Sequence, residues 1–79
     1  MKQINSVEEL IEEIKSGNND FFISNGLFRS SKYIECDDDI FYIFNEIDDT
    51  EQTLTKKQLF DEDYTNIGTS INNGTFYAY

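Results

Sequence analysis

Histidine is absent from the sequence. The side chain that titrates nearest neutral pH, and that works most often as a general acid or base, is therefore missing. Proline and tryptophan are absent too, and no linker or internal repeat interrupts the chain. The single cysteine, Cys36, cannot close an internal disulfide, and without histidine it cannot assemble a structural zinc site. A lone thiol suits a reducing compartment and reads first as a small buried strand residue. No apolar run reaches the length of a bilayer span, and Met1 to Asn5 opens no signal-like stretch. The expected location is the cytoplasm of the host cell, with no membrane partner. Basic residues are scarce, six against 16 acids, for a net charge of −10. Such a field repels nucleic acid and anionic lipid and attracts basic surfaces. Solubility alone accounts for charges of roughly 2–8 on a small domain.

The 79 residues allow one domain, 1–79, with one core. A chain of this size buries only about 60% of its unfolded surface, which leaves no deep interior for a multi-part active site. Seven Phe and five Tyr nevertheless suffice for a core and argue against disorder.

Ser6-Val7-Glu8-Glu9 is an S-x-x-E capping box. Val7, Leu10, Ile11 and Ile14 follow at helical spacing, and Gly17 supplies a stop, so a helix is expected from about 7 to 16. Asp20 to Ser24 reads as a strand. Asn25-Gly26 then signals a two-residue hairpin that pairs Ser24 with Leu27 and Ile23 with Phe28. The return strand alternates, with Phe28, Ser30, Lys32, Ile34 and Cys36 on one face and Leu27, Arg29, Ser31, Tyr33 and Glu35 on the other. Ile40 to Ile47 is apolar on both faces, the mark of a central strand. Glu51 to Leu54 is polar enough for an edge. Thr55-Lys56-Lys57-Gln58 is a second capping box, and Thr65 to Asn73 reads as a short helix stopped by Gly74. Gly68 costs that helix about 1 kcal/mol relative to Ala. Thr75 to Tyr79 closes the chain as a strand. The expected fold is α+β: an N-terminal amphipathic helix packed on a three- to four-stranded antiparallel meander, with short C-terminal helices and a terminal strand.

Chemistry finds little support in these residues. The serines lack a histidine partner, and Ser30 with Lys32 on one strand face has no activating environment. Paired carboxylates sit at turns, where turn geometry already favours Asp. The acids from Asp37 onward do not match the calcium-loop pattern, because Ile40 and Phe41 interrupt it. The four glycines are isolated and build no phosphate loop. Arg29, Lys32, Lys56 and Lys57 are too few to hold nucleic acid directly against 16 acids. Aromatics on the strands are expected mainly in the core. The reading is therefore of a non-enzyme, with no cofactor and no metal.

What remains is the pattern of acids. They fall in three loops, 37–39, 46–51 and 61–63, and along the outer face of the first helix. Converging at one sheet edge, those loops would form an anionic ridge able to meet the Lys and Arg that normally grip phosphates. The candidate partner-binding residues are Asp37, Asp38, Asp39, Asp48, Asp49, Asp61, Glu62 and Asp63, with Glu9, Glu12 and Glu13 after them. Tyr33 and Tyr42 add amphipathic contact area.

Small size, high acidity, a missing catalytic set and a helix-plus-meander plan together resemble the small anti-CRISPR proteins of phages and mobile elements. The resemblance is one of type, and no family residue is carried over from it. It implies a cytoplasmic protein inhibitor that blocks a CRISPR-Cas effector, or another nuclease, by nucleic-acid mimicry at a basic protein surface. An immunity protein or antitoxin that neutralises a toxin nuclease needs the same acidic surface. A small adaptor domain pairing through a sheet edge, at 51–54 or 75–79, is the third reading.

Overall fold

The computed structural model describes all 79 residues, Met1–Tyr79. Six antiparallel strands form one sheet: β1 (Lys2–Gln3), β2 (Asp20–Ser24), β3 (Arg29–Asp37), β4 (Ile40–Asn45), β5 (Thr50–Thr55) and β6 (Phe76–Ala78). Helix α1 (Val7–Lys15) follows β1, and a 3-10 turn (Gln58–Phe60) and helix α2 (Ile67–Asn73) precede β6. The strand order is β1-β6-β2-β3-β4-β5. The α+β class stands. The sheet is larger than the expected three to four strands, and a strand rather than a helix comes first.

Local signals explain most elements. Ser6 Oγ accepts from the Glu9 amide at 3.2 Å. Glu9 Oε2 accepts in turn from the Asn5 amide at 3.3 Å, one residue earlier than a standard capping box. The second box closes in both directions: the Thr55 amide donates to Gln58 Oε1 at 2.9 Å and the Gln58 amide to Thr55 Oγ1 at 3.2 Å. It starts the 3-10 turn that buries Leu59.

The hairpin at Asn25-Gly26 is longer than expected. Ser24 pairs with Arg29, so four residues, Asn25 to Phe28, make the loop. A two-residue type I′ turn needs positive φ at both central residues, and of this pair only Gly26 has it, at 99°. The register moves by two, which keeps the side chains from Arg29 to Cys36 on their expected faces but moves Leu27 and Phe28 out of the strand into the exposed loop.

One sheet face carries the core. Phe21, Ile23, Ile34, Phe41, Ile43, Leu54, Phe76 and Ala78 pack there with Leu10 of α1, Leu59 and Ile67 and Ile71 of α2. Phe21 and Phe76 stack with ring centroids 5.6 Å apart. Burying each such ring is worth about 1.5–3 kcal/mol. Strand β6 reaches this position by inserting between β1 and β2, so residues 75–79 form an interior strand and not an edge. Neither helix is long and apolar enough to cross a membrane.

Candidate partner-binding surfaces

The meander separates the acidic loops. Asp37, Asp38 and Asp39 surround the β3–β4 turn, and Asp48 and Asp49 form the β4–β5 turn. Consecutive turns of a meander lie at opposite ends of the sheet, here about 20 Å apart for the six residues of β4. Asp61, Glu62 and Asp63 follow the 3-10 turn on the helix layer, beside β5, where Gln52 Nε2 donates to the Tyr64 carbonyl at 2.6 Å. The three loops therefore do not meet in one ridge.

Several of these acids have local structural work. Asp38 and Asp49 hold left-handed backbone, at φ 54° and 58°, which Asp tolerates better than most residues. Asp48 Oδ1 accepts from the Thr50 amide and from Thr50 Oγ1 at 3.2 and 2.6 Å, and these bonds hold its carboxyl below the usual range. Asp61 Oδ1 accepts from the Asp63 amide at 3.0 Å, and Glu62 accepts from Thr69. On the helix, Glu9 caps and Glu13 pairs with Lys2 at 3.0 Å, which leaves Glu12 as the free acid of that trio. The hydrogen bond and charge of Lys2 lower the Glu13 carboxyl, and Glu13 raises the Lys2 ammonium.

The two ends differ in character. At the β3–β4 end, Lys15 lines a groove with Asp38 and Asp39, and Lys56 and Lys57 line the next one with Asp39. Charge there is mixed. The β2–β3 loop and the β4–β5 turn both project from the other end of the sheet, where the Glu46 amide donates to the carbonyl of Ser31 in β3 at 3.0 Å. Leu27 is 96% exposed and Phe28 75%, and Ile47 is exposed beside Glu46, Asp48 and Asp49. This end joins apolar tips to carboxylates, a composition suited to a protein partner.

The sheet face opposite the helices is uncovered. Its β2–β6 half is occupied from within. Phe22 stacks on Tyr77 at 5.2 Å and meets Tyr79 at 4.5 Å, and the Arg29 guanidinium lies 4.2 Å from the Phe22 centroid. The β3–β5 half is open. Tyr33, Phe44 and Glu51 form one cross-strand row, and Glu35, Tyr42 and Thr53 form the next. Together they line a groove of about 400 Å³. Tyr33 and Tyr42 are exposed, as the amphipathic reading anticipated. Glu35 and Glu51 were not among the candidate acids. Strand alternation was the available signal: it places both on the polar face beside Tyr33 and Tyr42. The expectation that the aromatics serve mainly as core is also corrected, because two short helices cover only one side of the sheet.

Comparisons of the chain with protein-family models, with characterised proteins and with solved structures find no match.

Proposed function

We propose that the protein is a non-enzymatic acidic inhibitor that binds a basic, nucleic-acid-binding surface of a partner protein, as small anti-CRISPR proteins do when they block a CRISPR-Cas effector by nucleic-acid mimicry. The observation that carries the reading is the fate of the charges. Of 16 side-chain carboxylates, only Glu8 and Glu13 meet a cation. Lys2 and Lys56 are taken by those pairs, Lys32 is buried and Arg29 is folded onto Phe22. The surface field stays strongly negative, which steers association with a basic target and makes it salt-sensitive. The exposed end bearing Leu27, Phe28, Asp48 and Asp49 adds apolar anchors to that field.

Affinity capture from host lysate at low and high salt tests the reading. A nuclease retained at low salt, released at high salt and displaced by competing duplex DNA is the expected result. A partner held equally at both salts and indifferent to DNA overturns it. An immunity protein shares this target chemistry, and an adjacent toxin gene would favour it.

One observation favours the adaptor reading: β5 is an edge strand of six residues, paired only with β4. Edge-to-edge dimerisation would give a concentration-dependent mass in sedimentation that high salt barely changes.

A further inference from the structure

We infer that the open β3–β4–β5 face is a binding groove for arginine side chains of a basic protein partner. The inference rests on the proposed capture of a basic surface, and it names the place and the side chain.

Two independent features of this face converge on a guanidinium. The first is charge. Glu35 and Glu51 lie diagonally across Tyr42 and Phe44, about 12 Å apart at the backbone by strand spacing and rise. Neither carboxylate accepts a hydrogen bond or meets a cation, and the Tyr33 and Tyr42 hydroxyls are likewise unengaged. The second is the other half of the same face. There the chain holds its own guanidinium, Arg29, over Phe22 and within 5.7 Å of the Tyr79 centroid. The β3–β5 half repeats the aromatic floor and adds carboxylates, but no cation of the chain occupies it. Aromatic faces attract cations within about 6 Å, and arginine stacks on them more often than lysine. A carboxylate at each of two opposite corners, Glu35 and Glu51, supplies planar acceptors for the fork of N–H donors. The groove, at about 400 Å³, falls within the span of roughly 300–1,000 Å³ typical of binding sites.

The test titrates the full chain with a capped oligoarginine peptide, an oligolysine of equal length and single-stranded oligothymidylate, followed by amide NMR shifts. The variants are Glu35→Gln/Glu51→Gln and Tyr42→Ala, with Glu12→Gln as a charge control on α1. Each is first shown to melt as the parent does. Oligoarginine is expected to shift the amides of Glu35, Tyr42, Phe44 and Glu51 and to bind more tightly than oligolysine. The double glutamate variant and Tyr42→Ala should each weaken it about tenfold, and Glu12→Gln should leave it roughly unchanged.

Shifts confined to the turns 37–39 and 46–49 would overturn the groove and leave the basic-partner reading standing. Equal weakening by Glu12→Gln would also overturn the groove, since a diffuse field would then explain binding. Tighter binding of oligothymidylate to the same amides would overturn both. Oligoarginine seated in the groove, with no nuclease captured from lysate, would support the groove and overturn the inhibitor reading.

Discussion

Lys32 Nζ donates to Asn45 Oδ1 across 2.6 Å on the core side of the sheet, and no carboxylate lies within ion-pair distance of it. The residue is 6% exposed. Asn45 Nδ2 continues the network to Thr50 Oγ1 at 3.0 Å and Gln52 Oε1 at 3.3 Å. A buried ammonium with a neutral partner is costly to keep charged.

That cost sets a pH dependence. Burial pushes the Lys32 ammonium below its ordinary 10.5, against a smaller opposing pull from Asp48. Between the folded pKa and 10.5, the unfolded chain binds more protons than the folded one. Stability therefore rises with pH through that window and levels off above it. Lys32→Met should remove this rise and stabilise the protein at neutral pH by about 1 kcal/mol. Urea unfolding of parent and variant from neutral to alkaline pH checks both points.

Gly68 shows why a helix-weakening residue stands in α2. A Cβ there would lie 2.5 Å from the Leu59 carbonyl oxygen and 2.6 Å from the Phe60 Cα, both backbone atoms. Gly68→Ala gains about 1 kcal/mol in helix propensity and loses more to overlap, for a net loss of about 2 kcal/mol. Thermal melting of the variant measures the balance, and a higher melting temperature would show that α2 and the 3-10 turn can part freely.

Arg29 completes the cover over the Phe22 ring. Phe22 is buried on the open sheet face by Tyr77, Tyr79 and this guanidinium. Arg29→Ala should cost about 1 kcal/mol, and Arg29→Lys should recover only part of it. Denaturant titration of the three proteins gives the order; equal stability of Ala and Lys variants would point to packing alone.

The Cys36 thiol should react slowly. Burial raises its pKa first, followed by the fields of Asp37 and Asp39, with a smaller contribution from Asp38 against Lys15. Its Sγ also donates to the Asp38 carbonyl at 3.3 Å. Iodoacetamide labelling at neutral pH is expected to be slower than in the unfolded chain. Asp37→Asn/Asp39→Asn should speed it by a factor of about two to five as the thiolate becomes easier to form.

Much of the fold was legible in particular residues. Both capping boxes, the Gly74 stop with φ 73°, the faces of β3 and the edge position of Thr50–Thr55 follow from signals within a few residues. The short strand β1 was not legible, because Lys2–Gln3 finds its partner only in β6 at the far end of the chain. Of the candidate site, the amphipathic character of Tyr33 and Tyr42 matches their exposure, whereas Glu35 and Glu51 belong to no run, because neither adjoins another acid. The acids that stand in runs are largely committed to turns.

Composition and short-range pattern by themselves determined the sign of the surface, the helix and turn positions, and the alternation of each strand. Those depend on side chains that touch within one turn or one pleat. Only the tertiary structure decided that Phe76 pairs beside Ile23, that the acidic turns face opposite ways and that one side of β4 stays bare. Long-range pairing and the reach of two short helices set these outcomes, and neither leaves a mark in any local window of residues.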